Sequence, residues 1–303
     1  MTDEELLAVV RERWGLPGAE VSPLGGGMNS RTWVVTASAP CGRTARWAAK
    51  QVEPGLRGSF LRGLRAAALV EGAGIRAGAP RPTVEGTGHV DLPGGPLALL
   101  RWVGGSPVDG DDDDAPAVVG AALGAAHAVL GGVDDGSAAA FPPWFDLDGD
   151  HLDVEPWVRP AITGALSRYR ALAAGGGLEV GLLHADPAPE AFVRPVDDGG
   201  PWGIVDWSSA EHGPLLYDVA SAVMYLGGLG PRGRELVHAY ATATRTTAAA
   251  LLPGVEVLLE LRQAVQADYF ARRLAAADLT GLDGPEGNLE GLHHARDSFA
   301  ARG

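Results

Sequence analysis

The stretch His184-Ala185-Asp186-Pro187-Ala188-Pro189-Glu190-Ala191-Phe192, followed by Gly203-Ile204-Val205-Asp206-Trp207, decides how this chain is read. Each half sets a carboxylate in a short polar turn after an apolar run. Leu178-Glu179-Val180-Gly181-Leu182-Leu183 delivers His184 and Asp186, and Gly203-Ile204-Val205 delivers Asp206. Aspartate is common in turns because its side chain bonds nearby backbone, so either residue alone is more often a turn former than a catalyst. Two of them in this order suit phosphoryl transfer. One carboxylate accepts the proton of an attacking hydroxyl while the other holds a magnesium ion that screens the phosphates of a nucleotide.

Basic residues point the same way. The 24 lysines and arginines are 23 arginines and one lysine, Lys50, at the end of Arg46-Trp47-Ala48-Ala49-Lys50-Gln51-Val52. Arginine serves at most solvated positions, whereas a compact ammonium on a flexible stem suits a narrow slot beside phosphate oxygens. The segment reads as a strand with Trp47, Ala49 and Gln51 on one side and Ala48, Lys50 and Val52 on the other. The plainer alternative is a surface lysine that drift has left in place. Upstream, Gly25-Gly26-Gly27-Met28-Asn29 leads into the alternating run Ser30–Val35, a hairpin able to lay backbone N–H groups over phosphates. In a chain with 44 glycines an ordinary hairpin would look the same, so position gives this cluster its value.

The segment Ala210-Glu211-His212-Gly213-Pro214-Leu215-Leu216-Tyr217-Asp218-Val219-Ala220 completes an ordered set. Together the three segments resemble the phosphotransferase family of aminoglycoside and choline kinases and homoserine kinase type II. Its marks are His-x-Asp-x-x-x-x-Asn, then Ile-Asp-Trp, then Gly-x-x-x-x-Asp-Leu-Ala. The resemblance covers nearly the whole chain. It implies an α+β, bilobal protein-kinase-like fold: a small antiparallel-sheet nucleotide-binding lobe over residues 1–103 and a larger, mostly helical lobe over 104–303. It also implies an ATP-dependent kinase with Mg2+, phosphorylating a hydroxyl of a small amine-bearing metabolite or antibiotic. By the same resemblance Asp186 is the base, His184 supports its loop, Asp206 ligates magnesium and Lys50 contacts the phosphates. Gly26, Gly27 and Asn29 cover the nucleotide, and backbone from Leu100 through Trp102 to Val103 holds the adenine edge. Asp218 is expected to cap a helix and brace the loop, and His127 to be structural.

Two departures accompany the resemblance. The family's loop asparagine is Ala191 here, which cannot ligate metal, and Glu190 is the nearest substitute. The glutamate that usually partners the lysine is absent near Gly63-Leu64-Arg65-Ala66, where the following helix offers only Glu71. The alternative reading is therefore a nucleotide-binding pseudokinase with a sensor or scaffold role. A protein-side-chain kinase fits less well, since Gly213-Pro214 follows Asp206 within eight residues and no Ala-Pro-Glu segment follows.

Composition sets the bounds. A chain of 303 residues with 46% hydrophobic and 20% charged content can bury a sizeable core. No apolar run reaches the roughly 18 residues of a membrane helix. The single cysteine, Cys41, suits a reducing cytosol, so a cytoplasmic location is expected. A net charge of −14 argues against nucleic acid and suits a cationic small-molecule substrate. The run Asp109–Asp114 reads as a solvated, mobile loop, while the group Asp134-Asp135, Asp146, Asp148, Asp150, Asp153 and Glu155 is equally open to a role beside a substrate. Helices are expected at about 57–73, 115–130, 155–174 and 258–277.

Overall fold

The computed structural model describes residues 1–25, 30–38, 44–134, 136, 141–195, 202–280, 282 and 284–300. Its strands are β1 (Glu20–Leu24), β2 (Ser30–Ser38), β3 (Thr44–Val52), β4 (Val90–Leu92), β5 (Gly95–Arg101), β6 (Ser106–Pro107), β7 (Val180–Leu183), β8 (Phe192–Arg194), β9 (Gly203–Ile204) and β10 (Glu211–Pro214). Its helices are α1 (Asp3–Trp14), α2 (Arg57–Gly72), α3 (Ala115–Leu130), α4 (Val158–Ala174), α5 (Leu216–Tyr225), α6 (Pro231–Ala243), α7 (Ala248–Ala275) and α8 (Glu286–Ala300). Contacts divide the chain into two units. One comprises Met1–Val108 with Glu190–Glu211, the other Asp109–Pro189 with His212–Gly303.

The first unit is built on an antiparallel sheet of order β1-β2-β3-β5-β4. Side-chain alternation sorts each strand between two helices. Trp33, Val35, Ala49, Leu97 and Leu99 pack with Leu6, Val10 and Trp14 of α1. Val52 and Ala98 face the other way, onto Phe60 and Leu64 of α2. Helix α1 forms because Thr2 and Glu5 close a capping box, and Gly15 ends it in the left-handed region at φ 64°. A small sheet of order β6-β8-β9 completes this unit.

The second unit is mostly helical. Helices α4, α7 and α8 bury Ile162, Ala165, Ala264, Ala267, Ala271, Leu292 and Ala295 in a common core, and β7 pairs with β10. Two expected helix starts move. Helix α4 opens at Val158, because Glu155–Trp157 form a turn in which Val158 N–H donates to the Glu155 carbonyl at 3.1 Å. Helix α7 begins at Ala248 and runs through Pro253, with Thr247 capping its first turn. The run Asp109–Asp114 is ordered in turns, its Gly110 and Asp112 carbonyls held by Arg232 of α6.

Candidate active site

Lys50 lies on the α2 side of β3, as the alternation requires, and is only 7% exposed. Its Nζ pairs with Oδ1 of Asp206, the residue that follows β9 and Val205. Ser208 Oγ donates to the same oxygen at 2.7 Å. Asp206 has a left-handed backbone, φ 64°, a conformation aspartate tolerates better than most residues. The Asp206 side chain remains 55% exposed.

Glu71 does not pair with Lys50. Its carboxylate accepts the Ala79 N–H at 2.9 Å and meets Arg101 at 3.1 Å, which ties the end of α2 to the loop that follows it and to the end of β5. Near Gly63, where the resemblance would put the lysine's glutamate, α2 is closely packed. A Cβ on Gly63 would stand 1.9 Å from the Trp207 carbonyl oxygen, so α2 lies directly on the turn after Asp206. Glu211 fixes that approach, accepting from Ser59 Oγ at 2.6 Å and Arg62 Nη2 at 2.5 Å.

Ala191 is buried and Glu190 exposed. The Ala191 carbonyl accepts the Val205 N–H at 2.8 Å, one rung beyond the β8·β9 pair Phe192↔Ile204. Glu190 and Asp206 are the next residues along these two chains. They supply carboxylate oxygen, the donor a hard cation prefers, and magnesium needs only one or two protein carboxylates besides phosphate and water. Among the described residues no group of three or more histidine, cysteine or acidic side chains could hold a metal ion. Leu100 lies in β5 opposite Ala48, and Trp102 carries the Arg46 guanidinium over its ring at 5.0 Å. Gly26, Gly27 and Asn29 lie outside the described residues.

In the second unit β7 delivers His184, Ala185 and Asp186. Ala185 has φ 67°, an uncommon conformation for an alanine that costs about 1–2 kcal/mol. Fully buried Asp218 of α5 holds it there. Its carboxylate accepts the His184 N–H at 2.7 Å and the Ala185 N–H at 2.8 Å. Bonds to a charged group are each worth about 1.5–3 kcal/mol, so the pair outweighs the strain. His127 Nε2 lies 3.1 Å from Asp218 Oδ2 and its Nδ1 lies 3.0 Å from Tyr240 Oη, extending the brace into α3 and α6. Asp218 thus braces the loop but does not cap α5, which has no side-chain cap. The His184 side chain is itself 1% exposed.

Asp186 is 48% exposed, and its Oδ1 accepts from Tyr225 Oη and from Arg262 Nη2, the latter at 3.1 Å. Burial above all, with the Asp186 charge beside it, raises the Tyr225 hydroxyl above its ordinary value and keeps the donor protonated. Burial disfavours the Arg262 charge, but its pKa still stands above the ordinary value, with the charge and hydrogen bond of the Asp186 carboxylate among the causes. Neither partner was foreseen from sequence. The available signal was a charge at a core-facing position of α7, four residues after buried Leu258. Asp146, Asp148 and Asp150 are exposed, whereas Asp153 pairs with Arg159 at 2.8 Å.

Solved structures that share the fold include three kinases. A choline/ethanolamine kinase family protein from Mesorhizobium loti is 19% identical with a TM-score of 0.65, covering 98% of this chain and 94% of that one. A microcompartment-associated aminopropanol kinase is 16% identical with a TM-score of 0.71 and coverage of 97% and 94%. A thermostable mutant of an aminoglycoside phosphotransferase, in ternary complex with ADP and hygromycin B, is 14% identical with a TM-score of 0.64 and coverage of 99% and 97%. At such identities the likeness is one of fold. No curated protein sequence matches. Residues 20–253, most of the chain and all three motif segments, match the Phosphotransferase enzyme family, and to that family, with its alcohol acceptors, the chain belongs.

Proposed function

We propose that this phosphotransferase is an ATP-dependent, cytoplasmic kinase of a small hydroxylated molecule bearing an amine. Asp186 is the base and His184 a support of its loop; Lys50 meets the phosphates. Gly26, Gly27 and Asn29 cover the nucleotide, and backbone from Leu100 to Trp102 meets the adenine edge. Asp206 and Glu190 would hold magnesium, which when bound neutralises charge on the nucleotide phosphates. The observation that carries the reading is the state of Asp186. It is half exposed and paired with the Arg262 cation, next to Ala185, whose strained backbone Asp218 holds in place, the kind of strain that persists at functional sites. A hydroxyl meeting its open oxygen can give up its proton as the oxygen attacks phosphorus. The net charge of −14 and the exposed Asp146, Asp148 and Asp150 favour a cationic acceptor.

ADP release from magnesium-ATP, with aminopropanol, choline and hygromycin B offered as acceptors, tests this. Acceptor-dependent turnover should fall about 10²–10⁴-fold in Asp186→Asn, the usual contribution of a general base. Retention of turnover in that variant would refute the assignment. Glu190→Ala should raise the magnesium requirement, and unchanged kinetics would remove Glu190 from the metal site. Magnesium-ATP binding without turnover for any acceptor would favour the nucleotide-binding sensor, the reading that the buried Ala191 supports.

A further inference from the structure

Two arginines of α7 are almost equally buried, Arg262 at 9% and Arg273 at 5% exposed. Their surroundings differ. Arg273 has the partners of a structural clamp: Asn288 Oδ1 at 2.8 Å, the Thr280 carbonyl at 2.6 Å, Tyr269 Oη at 3.2 Å and Asp278 at 3.1 Å. Arg262 has no such set. Its Nε is buried without a partner among the described residues, and its Nη2 bonds Asp186 Oδ1 and Tyr225 Oη, each at 3.1 Å. The guanidinium also lies over the Tyr225 ring at 5.7 Å. Burying a cation with an unmet donor is costly. A packing role would be filled at lower cost by leucine or methionine, neighbours of the kind Arg262 already has in Leu258, Leu259 and Leu261.

We propose that Arg262 and Tyr225 are positioning residues for Asp186: they tie Oδ1 from two directions and leave Oδ2 as the oxygen that takes the proton of the acceptor hydroxyl. This rests on the reading of Asp186 as the base. Asp186 is half exposed, and a carboxylate free to rotate about its side-chain bonds would present either oxygen in many orientations. Two donors on one oxygen fix the plane. Both groups donate to Oδ1, so neither occupies Oδ2. The reaction then moves the proton from the acceptor hydroxyl to Oδ2, forms the oxygen–phosphorus bond and releases ADP from the nucleotide.

The experiment measures ADP release from magnesium-ATP for Tyr225→Phe, Arg262→Met, Arg262→Lys, the Tyr225→Phe/Arg262→Met double variant and Asp186→Asn. Aminopropanol, choline and hygromycin B are the acceptors, with water alone as the reference. A misplacement of about 1 Å costs about 100-fold, so kcat should fall about 10–100-fold in Tyr225→Phe and Arg262→Met. KM for ATP should stay within about twofold, because ground-state binding of the nucleotide is untouched. Arg262→Lys should recover part of the loss, and the double variant should lose little more than the worse single, since both groups act on one oxygen. Should Arg262→Met fail to fold, Tyr225→Phe answers alone. Unchanged kcat in Tyr225→Phe, with Asp186→Asn inactive, would overturn the positioning role and leave the base in place. Full activity in Asp186→Asn would overturn both.

Discussion

Asp218→Asn isolates the device that holds the loop. The native carboxylate is fully buried and takes three contacts: His184 N–H at 2.7 Å, Ala185 N–H at 2.8 Å and His127 Nε2 at 3.1 Å. The two backbone donors fall on different oxygens, so an amide in the same place turns its NH2 toward one of them. That removes one charge-assisted bond, about 1.5–3 kcal/mol, and leaves a buried donor unmet, about 1–3 kcal/mol. The surviving bond becomes neutral and about half as strong. A total near 3 kcal/mol follows once overlap between these effects is allowed for. At about 2–4 °C per kcal/mol, Tm should fall about 6–12 °C. The alanine strain of about 1–2 kcal/mol is then no longer outweighed, so Ala185 relaxes and kcat falls with stability. Calorimetry gives the Tm, and hydrogen exchange read by mass spectrometry gives the protection of the His184 and Ala185 amides. A Tm within about 2 °C of wild type, with both amides exchanging as before, would refute the reasoning.

Other perturbations have signs fixed by the same contacts. Glu71→Gln should cost about 1 kcal/mol, through the weakened Ala79 and Arg101 contacts, and leave kcat within about threefold. A large loss of kcat at unchanged stability would mean that Glu71 serves Lys50 after all. Gly63→Ala places a methyl group 1.9 Å from the Trp207 carbonyl and should cost about 1–3 kcal/mol, shifting the turn that carries Asp206 and weakening magnesium-ATP binding. Unaltered binding and melting would show the helix free to move aside. Burial raises Tyr217, Tyr225 and Tyr240 above the ordinary phenol value of 10.0. The folded state therefore holds these protons more tightly than the unfolded chain. Stability should be unaffected by them below pH 10 and fall steadily above it, as urea midpoints at several alkaline pH values would reveal. A flat profile would contradict the burial of these hydroxyls.

Local rules made much of the fold legible. Alternation in Arg46–Val52 placed Lys50 on the face that carries it, and the alanine-rich run Ala115–Leu130 became a helix at the expected residues. Helix starts were less legible where a turn or a proline intervenes, as at Pro156 and Pro253, because the deciding hydrogen bonds are short-range details of the turn. The least legible contacts join residues far apart in sequence. The resemblance supplied that Asp218 braces the loop, but nothing local to it names His184 and Ala185, 34 and 33 positions earlier, as its partners. Nothing local to Arg262 tells that it meets Asp186, 76 positions away. The missing lysine partner was readable as an absence near Gly63, but the close packing of α2 there on the Trp207 carbonyl is a contact between residues far apart in sequence.

Calorimetric titration of ATP, with and without magnesium, into the wild type and Asp206→Ala tests the central claim most directly. The account predicts binding that strengthens with magnesium in the wild type and loses that dependence in the variant. Binding indifferent to magnesium and unchanged by the substitution would contradict it.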